Sequence, residues 1–218
     1  MSDPSGRPAA PVFDDDFRAR FDALLRWRRD VRRFRRDPVD PPVAERLIAA
    51  AALAPSVGYS QPWRFVTVAD PRRRAAVRRL FETANAAALA RQPSHDRAAR
   101  YARLKLSGLD EAPWHLAVFV DPDPEAGHGL GRATMPETVA YSAVMAVHTL
   151  WLAARAEGLG MGWVSIIDPE AVRALLDVPA EWRLVGYFCI GRPAGEHDTP
   201  ELERAGWETR RETVHLLR

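Results

Sequence analysis

The sequence contains almost no cysteine and almost no lysine. Cys189 is the only cysteine in 218 residues, which excludes an intrachain disulfide framework and a metal site built from several thiolates. It lies in an apolar run and is interpreted as a small buried residue. Lys105 is the only lysine among 31 basic residues, so the sequence pI of about 9.0 mostly reflects arginine usage. Because the formal net charge is only +2, composition gives little support to nucleic-acid binding.

Long apolar stretches are also lacking. The N-terminus has several prolines but no apolar segment of the kind that a signal peptide needs, so residues 1–12 are predicted to be a disordered leader. The longest apolar stretch, residues 139–154, is interrupted by Ser142 and His148 and is too short and too polar to span a bilayer comfortably. We therefore expect a cytoplasmic protein with no membrane segment, folded as a single domain over residues 13–218.

The order of apolar and turn-forming segments predicts an α+β protein, a small mixed sheet wrapped by helices. Helices are predicted around residues 17–25, from Pro41 until Pro55, at 71–90, 137–157 and 169–176, with a short one through Tyr101 and Leu104. Strands are predicted at residues 64–69, 116–120, 161–167 and 184–190. The polar tail from residue 200 is predicted to be an arm that reaches over a partner.

An aspartate surrounded by arginines follows the first predicted helix. The cluster comprises Arg28, Arg29, Asp30, Val31, Arg32 and Arg33. Guanidinium groups offer forked donors and a charge that does not titrate away, which suits a phosphate, and Asp30 is expected to stay ionised beside them. Spacing alone leaves a solvated helix end equally open. A nucleic-acid patch is disfavoured, because no aromatic platform or second basic stripe accompanies the cluster.

Two further segments carry polar groups in unusual places. A turn rich in Pro, Ser and Gly, residues 54–63, exposes backbone N–H groups where a helix stops and a strand begins. Taken alone, it is interpreted as an ordinary connection with Trp63 as a core residue. Ser165 places one hydroxyl inside an otherwise apolar predicted strand, and a buried serine usually only bonds a nearby carbonyl. It is not a hydrolase nucleophile, because the G-x-S-x-G elbow is absent.

Two other patterns do not meet the geometry that their functions require. The glycines of residues 127–132 follow a strand and precede a helix, but their spacing is not G-x-G-x-x-G, so a dinucleotide-binding fold is rejected. The six histidines show no i,i+4 pair and no carboxylate spacing typical of a metal site. His148, on the apolar helix, is interpreted as a satisfied core residue.

Together these segments resemble the FMN-dependent nitroreductase superfamily over roughly residues 17–207. The resemblance rests on the order of the arginine cluster, the Pro-Ser turn ending in Gln61-Pro62-Trp63, the buried helix and a Gly-Trp-Val-Ser strand. Within the superfamily the chain is similar to the 5,6-dimethylbenzimidazole synthase branch, which makes the lower ligand of vitamin B12. Asp30 and Tyr59 carry this finer likeness, because ordinary nitroreductases usually have Ser and Asn at these two positions. Further segments with the same likeness are residues 101–109, 111–113 and 150–166.

The resemblance implies an unusual reaction in which reduced FMN is the substrate as well as the bound flavin. Oxygen is the co-substrate, and the ribityl chain is broken to leave 5,6-dimethylbenzimidazole and erythrose 4-phosphate. Such chemistry needs a base near the first ribityl carbon and a hydrogen-bonding group near the reactive edge of the flavin. By residue match, Asp30 is the candidate base or proton shuttle, and Ser165 is the hydroxyl that positions the flavin where oxygen adds.

The resemblance also implies a set of flavin-binding residues. Arg28, Arg29 and Arg32 would hold the phosphate and the ribityl oxygens, with Asp30 and Val31 in the same segment. Ser56 would contact the flavin through the turn, and Lys105 would approach it from the other side. The polar residues 92–100 resemble a lid, and Arg192 is expected to be an exposed, solvated arginine.

Relatives of this kind imply a homodimer with the flavin between subunits, and a separate flavin reductase that supplies reduced FMN. Neither a nucleic acid nor a membrane is expected as a partner. The alternative activity is that of a nicotinamide-dependent nitroreductase or flavin reductase on the same fold. A flavin-binding storage or nucleic-acid-associated protein is a third possibility of a different class.

Overall fold

The computed structural model describes residues 10–104 and 108–218. Its helices are α1 (Asp15–Trp27), α2 (Pro41–Ala51), α3 (Pro71–Ala90), α4 (His95–Arg103), α5 (Gly108–Glu111), α6 (Thr138–Ala156), α7 (Pro169–Leu176) and α8 (Glu201–Arg204). Its strands are β1 (Trp63–Thr67), β2 (Trp114–Val120), β3 (Gly160–Val164) and β4 (Arg183–Gly191). Residues 10–12 precede α1 without regular structure.

Proline and aspartate fix where several helices begin. Asp70 and Asp168 accept backbone N–H bonds at the starts of α3 and α7, and each is followed by a proline at the first helical position. Both helices therefore have the bounds that the sequence predicts. Ser94 caps α4 in the same way, which starts that helix at His95, well before the position predicted for it.

The four strands form one sheet in the order β1-β2-β4-β3. All three strand pairs are antiparallel, so the prediction of a mixed sheet is wrong for the strands themselves. Among the described residues, parallel pairing occurs at the isolated bridge between Asp30 and Met161. Apolar runs indicate that strands are buried but not their direction, and long helical connections permit either direction.

Helices cover both faces of the sheet. Every residue of β2 is buried, and alternate side chains enter two different core layers. Leu116 and Phe188 face α2 and α6, whereas Ala117 and Tyr187 face the layer formed with α3, α5 and α7. This double burial explains why β2 and β4 are continuous apolar runs in the sequence.

Helix α6 is buried on one side and open on the other. Ala146 and Leu150 lie in the core, but Tyr141, Val144 and Met145 are exposed in the single chain. His148 lies on this open face and is exposed, so its interpretation as a core residue is wrong. The sequence reveals that the helix is apolar all round, but not that part of its surface is exposed in the single chain.

Trp207 connects the end of the chain to α4. Its ring lies 5.0 Å from the Arg97 guanidinium and 6.2 Å from the ring of Tyr101. The following residues, 208–218, are exposed and have no regular structure. The tail thus contacts the predicted lid region of its own chain, and its contact with a partner stays a prediction.

A buried pair of polar side chains makes the stability of the protein depend on pH. Nδ1 of His115, a residue only 1% exposed, lies 2.8 Å from the Tyr187 hydroxyl. Burial lowers the pKa of His115 from 6.5 to about 4, and the nearby charge of Arg74 acts in the same direction. The imidazole is therefore neutral in the folded protein at neutral pH.

We expect the protein to lose about 3 kcal/mol of unfolding free energy through His115 as the pH falls from about 6.5 to about 4. In that range the unfolded chain binds a proton at this imidazole that the folded protein does not bind. Urea titrations across the range should show a shallower pH dependence for His115→Gln than for the wild type. The exposed His215→Gln serves as the control, and equal slopes for all three proteins would contradict the expectation.

Within the described ranges, no helix is long and apolar enough to cross a membrane. In the same part of the chain, no group of three or more His, Cys, Asp or Glu side chains is arranged to hold a metal ion.

Candidate functional site

An open cavity of about 470 Å³ lies where the chain leaves α1 and passes α6, β3 and the segment after β4. The seven consecutive residues 27–33 all line it, and they include the whole arginine cluster. The remaining walls include Trp151 and Arg155 of α6, Gly160 of β3, and residues 194–197. Three residues of the C-terminal region also contribute to the lining, namely Thr199, Glu201 and Arg204.

The arginine segment reaches this cavity because α1 ends at Trp27. Arg28 has extended backbone angles, and the chain then runs along the free edge of β3. The Val31 N–H donates to the Met161 carbonyl at 3.0 Å, beside the parallel bridge from Asp30. A helix end and a sheet edge thus fix the segment on two sides.

Asp30 is held by backbone and side chain together. Its Oδ1 accepts from the Trp163 N–H at 2.9 Å, and its Oδ2 accepts from Arg32 Nε at 3.4 Å. The side chain keeps 38% of its surface exposed on the cavity side. Its carboxylate therefore has fixed partners on one side and room for a ligand on the other.

Two opposing effects set the proton affinity of Asp30. Burial among protein atoms raises the pKa of its carboxyl above the ordinary value, while the Trp163 hydrogen bond and the charges of Arg32 and Arg28 lower it. Burial is the larger effect. The arginines do favour the ionised form, as the sequence predicts, but the sequence did not show that burial opposes them.

Arg28 and Arg29 present positive charge without a carboxylate partner in residues 10–104 and 108–218. Arg29 Nε donates to the Asp198 carbonyl at 2.6 Å, and the Arg28 guanidinium lies 5.1 Å from the centre of the Trp151 ring. Burial, followed by repulsion from Arg28, lowers the pKa of Arg29. A bound anion would relieve this repulsion, so the pair suits a phosphate group.

Two glycines of β3 allow the segment to lie close to the strand. A Cβ at Gly162 would overlap the carbonyl oxygen of Val31, and one at Gly160 would lie 2.5 Å from the Val31 side chain. In the sequence, Gly162 stands out only as part of the Gly-Trp-Val-Ser motif. Its physical role is the close approach of two backbones, which no local pattern shows.

Ser165 does not lie inside a strand. Strand β3 ends at Val164, and Ser165 is exposed in the connection to α7, so the prediction of a strand to residue 167 and of a buried hydroxyl is wrong. The pairing of β3 with β4 stops at Val164, opposite Tyr187. Ser165 lies two residues after Trp163, whose N–H donates to Asp30. In an extended chain, two residues span roughly 7 Å.

Ser56 lies in a different part of the chain from the cavity. Its hydroxyl accepts from the Gln61 N–H at 3.0 Å, and the neighbouring Val57 N–H donates to Ser142 of α6. The turn leads into β1, at the opposite edge of the sheet from β3, about 14 Å away at the usual strand spacing. One chain therefore does not bring Ser56 to Asp30.

The backbone of this turn is unusually shaped. Gly58, Tyr59 and Gln61 all have positive φ angles, and Tyr59 is 78% exposed. Gly58 packs against Gly127, and a Cβ on either residue would come within 3.0 Å of the other backbone. The glycine loop that fails as a dinucleotide motif thus supports the Pro-Ser turn instead.

Two candidates remain. Lys105 lies outside the described residues. Arg192 is exposed, as predicted, and its carbonyl accepts from the Arg35 N–H.

Trp151 was not predicted to be a site residue, although it lies in one of the segments that carry the family likeness. Its indole N–H donates to the Arg29 carbonyl at 3.2 Å. Nor were Arg155 and Glu196 predicted, which form an ion pair at 2.7 Å on the cavity wall. These residues are far from the cluster in sequence, and the one signal in the sequence is a large tryptophan within a mostly apolar helix.

Comparisons with known proteins show which family the chain resembles. Residues 25–192 match the Nitroreductase family model. The chain is 62% identical over 201 residues to a 5,6-dimethylbenzimidazole synthase of Rhodospirillum rubrum, covering 92% of this chain and 95% of that protein. It is 53% identical over 196 residues to the protein of the same name from Rhodobacter capsulatus, covering 90% and 94%. The structure of iodotyrosine deiodinase bound to FMN and 3-iodo-L-tyrosine has a similar fold, with a TM-score of 0.70 and 24% identity over 90% of this chain and 96% of that chain.

Proposed function

The chain belongs to the nitroreductase family, and we propose that it is an enzyme that breaks reduced FMN with oxygen to release 5,6-dimethylbenzimidazole and erythrose 4-phosphate. The observation that carries this proposal is Asp30, a carboxylate fixed at the wall of an arginine-lined cavity. An acidic group beside a phosphate seat weakens phosphate binding by repulsion, so its presence there calls for a chemical role. Relatives at 53% and 62% identity carry the name of this synthase.

The residues of the cavity fit FMN. Arg28 and Arg29 offer charge and donors to a phosphate dianion and have no carboxylate partner in the described ranges. Arg32, whose side chain is 11% exposed, is held beside Asp30 and would reach the ribityl oxygens. Reduced FMN supplies both the electrons that activate oxygen and the ring system that becomes the product.

The proposed catalytic role of Asp30 is to take up or pass on a proton at the first ribityl carbon. Its Oδ1 accepts from the Trp163 N–H at 2.9 Å, whereas Oδ2 has only the longer 3.4 Å contact with Arg32 Nε, so Oδ2 is the oxygen better placed for this work. Because burial raises the pKa of Asp30, the carboxylate is a stronger base than an ordinary exposed aspartate. Ser165 and Val31 would bind the flavin on the β3 side, with Lys105 as a further contact.

The proposed assembly is a homodimer with the flavin between the subunits. Helix α6 leaves Tyr141, Val144 and Met145 exposed. Before and along α1, the exposed rings of Phe13, Phe17 and Phe21 pack against one another. Groups of exposed apolar side chains are typical of protein interfaces. A second subunit would also bring its own Ser56 turn to the flavin, since one chain holds that turn away from Asp30. The exposed tail, residues 208–218, would reach over the partner.

The nearest alternative is a nicotinamide-dependent nitroreductase or flavin reductase on the same fold. Asp30 favours the synthase, because hydride transfer to a bound flavin needs no base at the ribityl chain. We further propose that a separate flavin reductase supplies the reduced FMN. A storage protein for FMN is a third candidate and predicts no turnover of the flavin.

The test is to mix the protein with chemically reduced FMN, admit air, and analyse the products by chromatography. We expect 5,6-dimethylbenzimidazole to form in proportion to the protein added, and heat-denatured protein serves as the control. Anaerobic mixing of the FMN-loaded protein with NADH or NADPH should bleach the flavin only slowly. Rapid bleaching together with the absence of the benzimidazole would overturn the proposal in favour of the reductase. Neither bleaching nor product would favour the storage protein.

A further inference from the structure

Trp151 makes three contacts that converge on the arginine segment. It lies in α6, is 8% exposed, and lines the cavity. The mechanism proposed above gives it no chemical step. Its position nevertheless connects α6 to Arg28 and Arg29, neither of which has a carboxylate partner in the described chain.

The first contact fixes the backbone of Arg29. The indole N–H of Trp151 donates to the Arg29 carbonyl at 3.2 Å. This carbonyl lies just beyond the end of α1, where the helix no longer supplies partners, and a buried indole N–H itself needs an acceptor. The bond therefore satisfies two polar groups and sets the direction in which the chain leaves α1.

The second contact fixes the side chain of Arg28. Its guanidinium lies 5.1 Å from the centre of the Trp151 ring, within the range of a cation–π interaction. In the described ranges Arg28 makes no ion pair, so the ring defines where its charge is held. An arginine ordered before the ligand arrives loses less side-chain entropy when a phosphate binds.

The third contact joins Trp151 to the wall that holds Asp30. Its ring packs at 6.5 Å from the ring of Trp163, and the Trp163 N–H donates to the Asp30 carboxylate. The ring of Trp163 in turn packs on Phe188 of β4, at 5.0 Å. The rings of Trp151, Trp163 and Phe188 thus form a continuous row that connects the guanidinium of Arg28 to the central sheet.

We propose that Trp151 is a positioning residue that holds Arg28 and Arg29 ready for the phosphate and so makes the site selective for phosphorylated over unphosphorylated flavin. The proposal rests on the proposed function, in which this cavity binds FMN. It predicts that Trp151 contributes to the affinity for FMN but not to the affinity for riboflavin, which has the same ring and ribityl chain but no phosphate.

The experiment measures the dissociation constants of oxidised FMN and riboflavin by flavin fluorescence. We expect wild type to prefer FMN, and Trp151→Leu to reduce the ratio of the two affinities about tenfold. Trp151→Phe, which keeps a ring but loses the N–H donor, should give an intermediate ratio. The matched control is Trp182→Phe, because Trp182 also lies 5.7 Å from an arginine, Arg64, but outside the cavity lining.

A double-mutant cycle tests the route through Arg28. If Trp151 acts by holding this guanidinium, Arg28→Gln combined with Trp151→Leu should lower the FMN-to-riboflavin ratio little more than Arg28→Gln alone. Thermal melts identify the variants that fold, and Trp151→Phe, the milder change, decides the matter if Trp151→Leu does not fold.

The outcomes are distinguishable. A wild type that binds FMN and riboflavin equally well would overturn the phosphate seat and the proposed function with it. A wild type that prefers FMN, together with Trp151 variants that keep the full ratio, would overturn only the role of Trp151. If the Trp151 variants bind FMN and riboflavin more weakly by the same factor, Trp151 has only a structural role, and the inference is overturned.

Discussion

Asp30→Asn should retain FMN and lose at least about 100-fold in the rate of benzimidazole formation. Asparagine has the shape of aspartate, so its Oδ1 can still accept from the Trp163 N–H. It has no basic oxygen in the place of Oδ2, however, and cannot take a proton from the ribityl chain. Removal of a negative charge beside Arg28 and Arg32 should leave FMN binding unchanged or slightly tighter.

The pH dependence offers a second view of the same residue. If ionised Asp30 is the base, the rate should rise with pH through its folded-state pKa, which burial places above the ordinary value of 3.8. For stability the sign is opposite. Because the folded-state pKa is raised, the protonated form is favoured by folding, so the contribution of this group is greatest at low pH and is lost as the pH rises through that pKa.

Asp37→Asn is the matched control for this experiment. Asp37 also accepts from an arginine, Arg35, at 2.7 Å, but it is exposed and lies outside the cavity lining. Its substitution should leave product formation within about twofold of wild type, as expected for an exposed ion pair. If both Asp30→Asn and Asp37→Asn turn over reduced FMN at the wild-type rate, the assignment of Asp30 as the base is wrong.

The sequence predicted the local elements better than their arrangement. Helices α3 and α7 have the predicted bounds because proline and a capping aspartate mark their starts in the sequence itself. The direction of the strands was not predictable in this way. Strand β3 pairs with β4 across an intervening helix, and nothing within β3 indicates whether that pairing is parallel or antiparallel.

The same distinction applies to the candidate site. Residues 28–32 are adjacent in sequence, and all five line one cavity, while their role in flavin binding stays a prediction. Trp151 and Gly162 act through contacts with residues more than a hundred positions away, so no spacing pattern could identify them. Ser56 shows the opposite case, because its predicted role in flavin binding needs a second subunit. A motif that lies far from the site in one chain can still be correct for a dimer.

Gly162→Ala should disrupt the site more than any other single methyl group added to β3. The new Cβ would overlap the carbonyl oxygen of Val31, and a backbone atom cannot move aside as a flexible side chain can. Since β3 is an edge strand, we expect the segment at residues 30–31 to shift outward, with a loss of about 2–3 kcal/mol in unfolding free energy. For a chain of this length that corresponds to a fall in Tm of roughly 4–12 °C.

This displacement should lower the activity strongly even where the protein remains folded. The shift separates Asp30 from the Trp163 N–H and moves Arg28 and Arg29 relative to Trp151, so both product formation and the preference for FMN should fall in a protein that still folds. Gly195→Ala is the control for stability, because its Cβ would meet only the His197 side chain, at an ordinary 3.7 Å. If Gly162→Ala keeps the Tm and the FMN affinity of wild type, the backbones at Val31 and Gly162 do not lie in contact. The geometry that aims the carboxylate of Asp30 into the cavity would then have to be different.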